Sequence, residues 1–162
     1  MLDWSVSAGD GIVEVQVRAI LPTSGGCAVF LGNEEKNFVI YVDQTVGAAI
    51  SMFMQGIPKE RPQTHDLMAT LLVAFGARLL RVVINDFHER VYFARMILEA
   101  SNEIMERKLI EVDARPSDSI ALAAQQGAPI LVSREVWDNV EDMTELLEKM
   151  EEQGFKGESG DD

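Results

Sequence analysis

Two segments of this chain, Arg61-Pro62-Gln63-Thr64-His65-Asp66-Leu67 and Asp113-Ala114-Arg115-Pro116-Ser117-Asp118-Ser119-Ile120-Ala121-Leu122-Ala123, each set an Arg-Pro pair just ahead of a hydroxyl residue and an aspartate. If the two segments meet, their side chains suit hydrolysis of a phosphodiester. Asp66, Asp113 and Asp118 offer the oxygen ligands that Mg²⁺ or Mn²⁺ prefers, and Arg115 can neutralise charge building on a phosphate. On that reading His65, Asp66, Arg115 and Asp118 are the catalytic candidates, the three aspartates hold the metal, and Arg61 and Ser117 contact the substrate. The same residues also have a structural explanation. Proline fits the first turn of a helix, Ser, Thr and Asp accept hydrogen bonds from its free amides, and acidic groups favour its positive end. Geometry adds a constraint. Neighbouring side chains on a regular helix diverge by about 100°, so His65 and Asp66 cannot both face one ligand.

Other chemistries are excluded by what is missing. The sequence has no phosphate loop of the Walker type, no G-x-G-x-x-G, no G-x-S-x-G and no H-E-x-x-H. With only His65 and His88, one chain cannot build a multi-histidine metal centre. Cys27 is the sole cysteine, which rules out an intrachain disulfide or a cysteine-clustered zinc site, and its apolar neighbours mark it as a small buried hydrophobe. His88 reads as part of a solvated hairpin loop. Phe87, Tyr92 and Phe93 offer rings for base stacking, but aromatics on a strand more often serve a core or an oligomer interface.

The elements that must position these residues follow from periodicity. Gly11–Leu21 alternates apolar and polar residues and reads as a strand; Cys27–Leu31 and Asn37–Val42 complete a three-stranded meander. Val46, Ile50, Phe53 and Met54 then fall on one face of a helix closed by Gly56 and Pro58. A second helix is expected from Thr64 to Ala74 or Phe75, with Leu67, Leu71 and Phe75 as its stripe and Thr64 or Asp66 capping it. Arg78–Ile84 and Arg90–Leu98 read as a hairpin joined through Asn85–Glu89, and Lys108–Val112 as a further strand. Ser117–Gln126 should be a helix capped by Gly127, followed by a brief extended Pro129–Val132. Val136, Val140, Met143, Leu147 and Met150 form a seam of helical spacing, too short for a coiled coil and expected to dock on the domain's own surface. The pattern predicts a single α+β domain with a mixed or mostly antiparallel sheet packed against several helices. Residues 1–140 would form it, with a C-terminal helix over 141–153 and a disordered acidic tail over 154–162.

A length of 162 residues suits one core, and 47% hydrophobic with 25% charged residues is the balance of a folded protein. No basic and apolar leader opens the sequence and no apolar run could span a bilayer, so a soluble cytoplasmic protein with no membrane partner is expected. The net charge of −13 argues against strong nonspecific DNA affinity. Residues 135–162 carry −9 of it, whereas between Lys59 and Arg95 six basic residues face four acidic ones.

At the two Arg-Pro segments, and at Gly127-Ala128-Pro129-Ile130 with Val132-Ser133, the sequence resembles the bifunctional nuclease domain family, over about Val13 to Val140. The resemblance implies a compact α+β fold, a homodimer or larger homo-oligomer, and activity on both DNA and RNA. The competing expectation is a noncatalytic oligomeric binding or regulatory module whose motifs hold the fold together; a third is binding of a small phosphorylated ligand at the helix N-termini. The chain departs from the family pattern at three places: Asp43 where relatives tend to carry Gly, Val46 where they carry Glu, and Glu60 where they often carry Pro.

Overall fold

The structure, a computed structural model, describes residues 11–158, and side chains as far as residue 154. The first half opens as the meander the alternation predicts: β1 (Ile12–Thr23), β2 (Gly26–Gly32) and β3 (Asn37–Val42), all antiparallel. In β1, Val13 and Val15 turn inward while Glu14 and Gln16 face solvent, the period-two pattern of a strand with one buried face. Helices α1 (Gln44–Gln55) and α2 (Thr64–Ala74) follow, then β4 (Ala77–His88), β5 (Val91–Ser101) and β6 (Arg107–Ala114), α3 (Pro116–Gln126), β7 (Ile130–Ser133), α4 (Arg134–Asn139) and α5 (Thr144–Glu158).

One mixed sheet results, in the order β3-β2-β1-β7-β4-β5-β6. The four residues of β7 are its centre. They pair antiparallel with β1 and parallel with β4, closing the two antiparallel halves into one surface. Ile130 and Val132 are buried there. The sheet also coils strongly. Phe38 on β3 lies 6.0 Å from Tyr92 on β5, although four strands separate β3 from β5 in the order.

The fold is α+β, one domain around one principal core. Ile50 from α1 and Ile120, Ala121 and Leu122 from α3 are fully excluded from solvent against Val29, Val82 and Val132; each large aliphatic side chain so buried contributes about 1.5–3 kcal/mol. The close approach of α1 to β2 depends on Gly47, since a Cβ there would meet the Cys27 Sγ at 2.5 Å. Cys27 is half-buried against the core, as a small hydrophobe. Gly127, with φ +66°, ends α3 in the left-handed conformation that glycine adopts without steric cost.

Several boundaries differ from the sequence expectation. The β4–β5 hairpin closes at the His88–Val91 pair, so Asn85–His88 lie in the strand and the turn is Glu89-Arg90 alone. Stacking of Phe87 on Tyr92, with ring centroids 4.2 Å apart, holds the extended end together. Both turn residues have positive φ, 49° and 67°, as a two-residue turn of this twist requires, yet neither is the usual Gly or Asn. The helical seam is broken: Val136 belongs to α4, Val140 caps it, and α5 begins only at Thr144. Asp142 marks the start of the second piece, its carboxylate accepting from the backbone amide and hydroxyl of Thr144. Both pieces do dock on the domain. Val136 and Val140 join the main core, and Leu147 seals Ala28 and Phe30 on the other face of β2. Helix α5 continues through Gly154–Glu158, where an unstructured tail was expected; the rest of that tail lies outside the described residues. Finally, Leu67, Leu71 and Phe75 are not a core stripe. They are 54%, 48% and 80% exposed, and His65 is the buried residue of α2.

Candidate functional site

The two Arg-Pro segments do meet, through α2 and α3. Arg115 is the N-cap of α3 and Pro116 its first residue, where a missing N–H costs nothing. Asp118 therefore sits in the third position of the helix, not at the cap. Its carboxylate is shared: Oδ1 lies 3.0 Å from His65 Nε2, and Oδ2 accepts from Arg115 Nε at 2.9 Å. The far end of Arg115 reaches toward Asp43, with Nη1 3.8 Å from Oδ2. Burial alone would raise the Asp118 carboxyl, but the hydrogen bonds from Arg115 and His65 outweigh it and hold the group below the ordinary carboxylate value. The ionised acid accepts, so His65 Nε2 carries the hydrogen, which in the neutral imidazole leaves the lone pair on Nδ1. The Arg115 guanidinium is in turn held more firmly protonated, chiefly by its bond to Asp118.

His65 and Asp66 diverge as helical geometry demands. While His65 faces Asp118 and is 8% exposed, Asp66 turns back on its own helix start. Its Oδ2 accepts from Lys59 Nζ and from the Gln63 amide, both at 2.8 Å. Gln125 on α3 ties both neighbours down, donating to His65 O at 3.3 Å and to Asp66 Oδ1 at 3.2 Å. The Lys59 hydrogen bond is the main reason the Asp66 carboxyl is held below its ordinary value. Lys59 also lies over the Phe53 ring, its ammonium 3.9 Å from the centroid, which joins α1 to the start of α2.

The remaining candidates lie apart. Asp113 is exposed on β6, in register with Arg95 of β5. Arg61 lines a cleft of about 480 Å³ with Lys59, Asp66 and Gln125. Ser117 lines a different groove, of about 400 Å³, with Arg115, Arg90, Tyr41, Tyr92 and Asp43. Asp66, Asp113 and Asp118 thus do not converge on one point. Among the described residues no three His, Cys, Asp or Glu side chains are grouped to hold a metal ion. As placed among the described residues, Asp66, Asp113 and Asp118 do not form the three-carboxylate cation site expected of them.

Sequence reading missed four residues that the site uses: Asp43, Lys59, Arg90 and Gln125. Asp43 could have been found, because it precedes α1 and caps it by accepting from the Val46 amide at 2.9 Å. Val46, where the family pattern has Glu, is buried, and the second carboxylate near Arg115, after that of Asp118, comes from Asp43. Lys59 and Gln125 carry no local signal, since their partners are six and more residues away. Tyr92, a stacking candidate, is instead held between Phe38 and Phe87.

A mixed-sheet α+β domain with an Arg–Asp–His cluster where two helices start is the class of protein these observations define. The model of the bifunctional nuclease domain family matches residues 29–145, and the chain belongs to that family. It is also 38% identical over 104 residues to two uncharacterized proteins of Mycobacterium tuberculosis, one from strain CDC 1551 / Oshkosh and one from strain H37Rv. The matched region is 64% of this chain and spans 58% of the length of those relatives. No helix among the described residues is long and apolar enough to cross a membrane.

Proposed function

We propose that this chain is a nuclease that hydrolyses phosphodiester bonds of DNA and RNA, with His65 as its proton-transfer group. The observation that carries the reading is the Asp118 carboxylate shared between His65 Nε2 and Arg115 Nε. This arrangement favours one histidine tautomer and holds the Arg115 guanidinium on the same carboxylate. Asp118 orients the imidazole and stabilises its charged form; His65 Nδ1 accepts a proton from the attacking water. As the water oxygen bonds to phosphorus, the bond to the leaving oxygen breaks and that oxygen takes up the proton. Arg115 contacts the phosphate and offsets its developing charge. Asp66 supports the site by fixing the start of α2. Nucleic acid in the cytoplasm is the expected substrate.

One observation favours the noncatalytic alternative. Every partner of Asp66 and Asp118 is a neighbouring element of the fold, as a purely structural pair of helix starts requires. Assaying highly purified protein on single-stranded DNA and RNA, with and without EDTA and beside His65→Asn, separates the two readings. Cleavage lost in the variant supports catalysis at His65; cleavage unchanged in it assigns the motifs to structure. The EDTA arm shows whether a cation takes part.

We also propose a homo-oligomer. Leu67, Leu71, Val73 and Phe75 leave α2 with an apolar surface of the kind that protein interfaces cover.

A further inference from the structure

We infer that the groove between β3, the Glu89-Arg90 turn and the start of α3 binds one nucleotide of a single-stranded nucleic acid, with Arg90 and Tyr41 as its selecting contacts. The ligand class rests on the phosphodiester reading above; the inference adds how an unpaired strand reaches the Asp118 cluster. The groove, of about 400 Å³, has the size of a small-ligand site and is far too small for a duplex. Arg115 belongs both to its wall and to the cluster.

Three features of its lining point to a nucleotide. Arg90 occupies a turn position with φ 67°, where glycine would be relaxed, and it has no ion-pair partner among the described residues. The turn itself requires the positive φ, and the charged side chain that stands there in place of glycine is exposed at the groove. Ser117, only 8% exposed, lines the groove with a hydroxyl that has no hydrogen-bond partner among the described residues. It stands in the first turn of the 11-residue α3, whose free amides and dipole favour an anion. Tyr41 is 68% exposed and lines the groove, while the Tyr92 ring, also in the lining, packs against Phe38 and Phe87.

These groups divide the work. The phosphate lies between Arg90, Arg115 and Ser117, and the base lies on the ring of Tyr41. Asp43, the one carboxylate in the lining, repels phosphate from the α1 side and so directs it toward Arg90. Only an unpaired base has a face free for Tyr41, and stacking on a ring does not distinguish DNA from RNA.

The test is fluorescence polarisation of labelled oligo-dT and oligo-U at low ionic strength, with a thymidine mononucleotide phosphate and an annealed duplex as competitors. Arg90→Gly should weaken oligonucleotide binding about tenfold and lower the salt slope by about 0.7, while melting at or above the wild-type temperature because glycine is unstrained in that turn. Tyr41→Ser should weaken binding about tenfold and leave the salt slope unchanged. Wild-type affinity in Arg90→Gly, no competition by the mononucleotide, or competition by duplex as effective as by the oligonucleotide, overturns the inference. Gel analysis of the bound oligonucleotide keeps the two readings apart. Arg90-dependent binding without cleavage retains the groove and removes the nuclease reading; cleavage indifferent to Arg90 does the reverse.

Discussion

His65 Nε2 and Asp118 Oδ1 lie 3.0 Å apart, although 53 residues separate them in the chain. The second Asp118 oxygen is held by Arg115 from within the same helix start, so both lone-pair faces of one carboxylate have fixed donors. This restricts what a substitution at 118 can do.

Asp118→Asn should fold, with a stability loss of about 1 kcal/mol. Its amide oxygen can accept from Arg115 while its NH₂ donates to His65 Nε2, provided the imidazole moves its hydrogen to Nδ1. That change removes the basic lone pair. Hydrolysis of single-stranded DNA and RNA is therefore expected to fall by about 10²–10⁴. Thermal melts and cleavage rates of the same preparation check both halves; a stable variant with full activity places catalysis elsewhere.

Lys59→Met keeps an apolar stem over Phe53 but leaves Asp66 without its cation. A loss of about 2 kcal/mol in chemical denaturation is expected, since Lys59 is largely buried and its bond to Asp66 is charge-assisted. A loss too small to resolve would show that Gln63 and Gln125 satisfy Asp66 unaided.

Acid should destabilise the domain through the same two aspartates. Both carboxyls titrate below 3.8 when folded, so their contribution is complete above that value and is lost as pH falls through it toward the depressed folded values. Denaturation midpoints followed from about pH 6 to about pH 3 should drop, and Asp66→Asn should flatten part of the slope. An unchanged slope in that variant would assign the acid sensitivity to other groups.

Leu147 and the residues after Gln153 should behave oppositely. Leu147→Ala opens the cluster over Ala28 and Phe30 and should cost about 2–4 kcal/mol. Truncation after Gln153 should leave the melting temperature within about 1–2 °C of wild type, because such an end contributes little to a core. A large drop on truncation would reveal docking beyond that point.

Leu71→Glu tests the oligomer. Leu71 is half exposed, so a monomer would accept the charge with little change in stability, whereas an interface on α2 would be disrupted. Light scattering at micromolar concentration should show the wild type as a dimer or larger and the variant shifted toward monomer. A monomeric wild type ends the proposal.

Much of this protein is determined by short-range pattern. The alternation in β1, the helical spacing of α1 and the cap at Gly127 each reflect interactions within a few residues, so the sequence alone specifies the α+β class and most element bounds. The two Arg-Pro segments were also legible as helix starts, because proline, hydroxyl and acid have local reasons to stand there. Tertiary structure decided their meaning. Only the packing of α2 on α3 puts His65 against Asp118, and only the coil of the sheet brings the Glu89-Arg90 turn toward β3. Asp113 shared a motif with Arg115 and Asp118 yet ended on another element, since a strand and a helix leave their junction in different directions. The α2 stripe misled for a related reason. Helical periodicity shows that Leu67, Leu71 and Phe75 share a face, but whether that face meets a core depends on which side of the helix the rest of the chain occupies, and here that side belongs to His65.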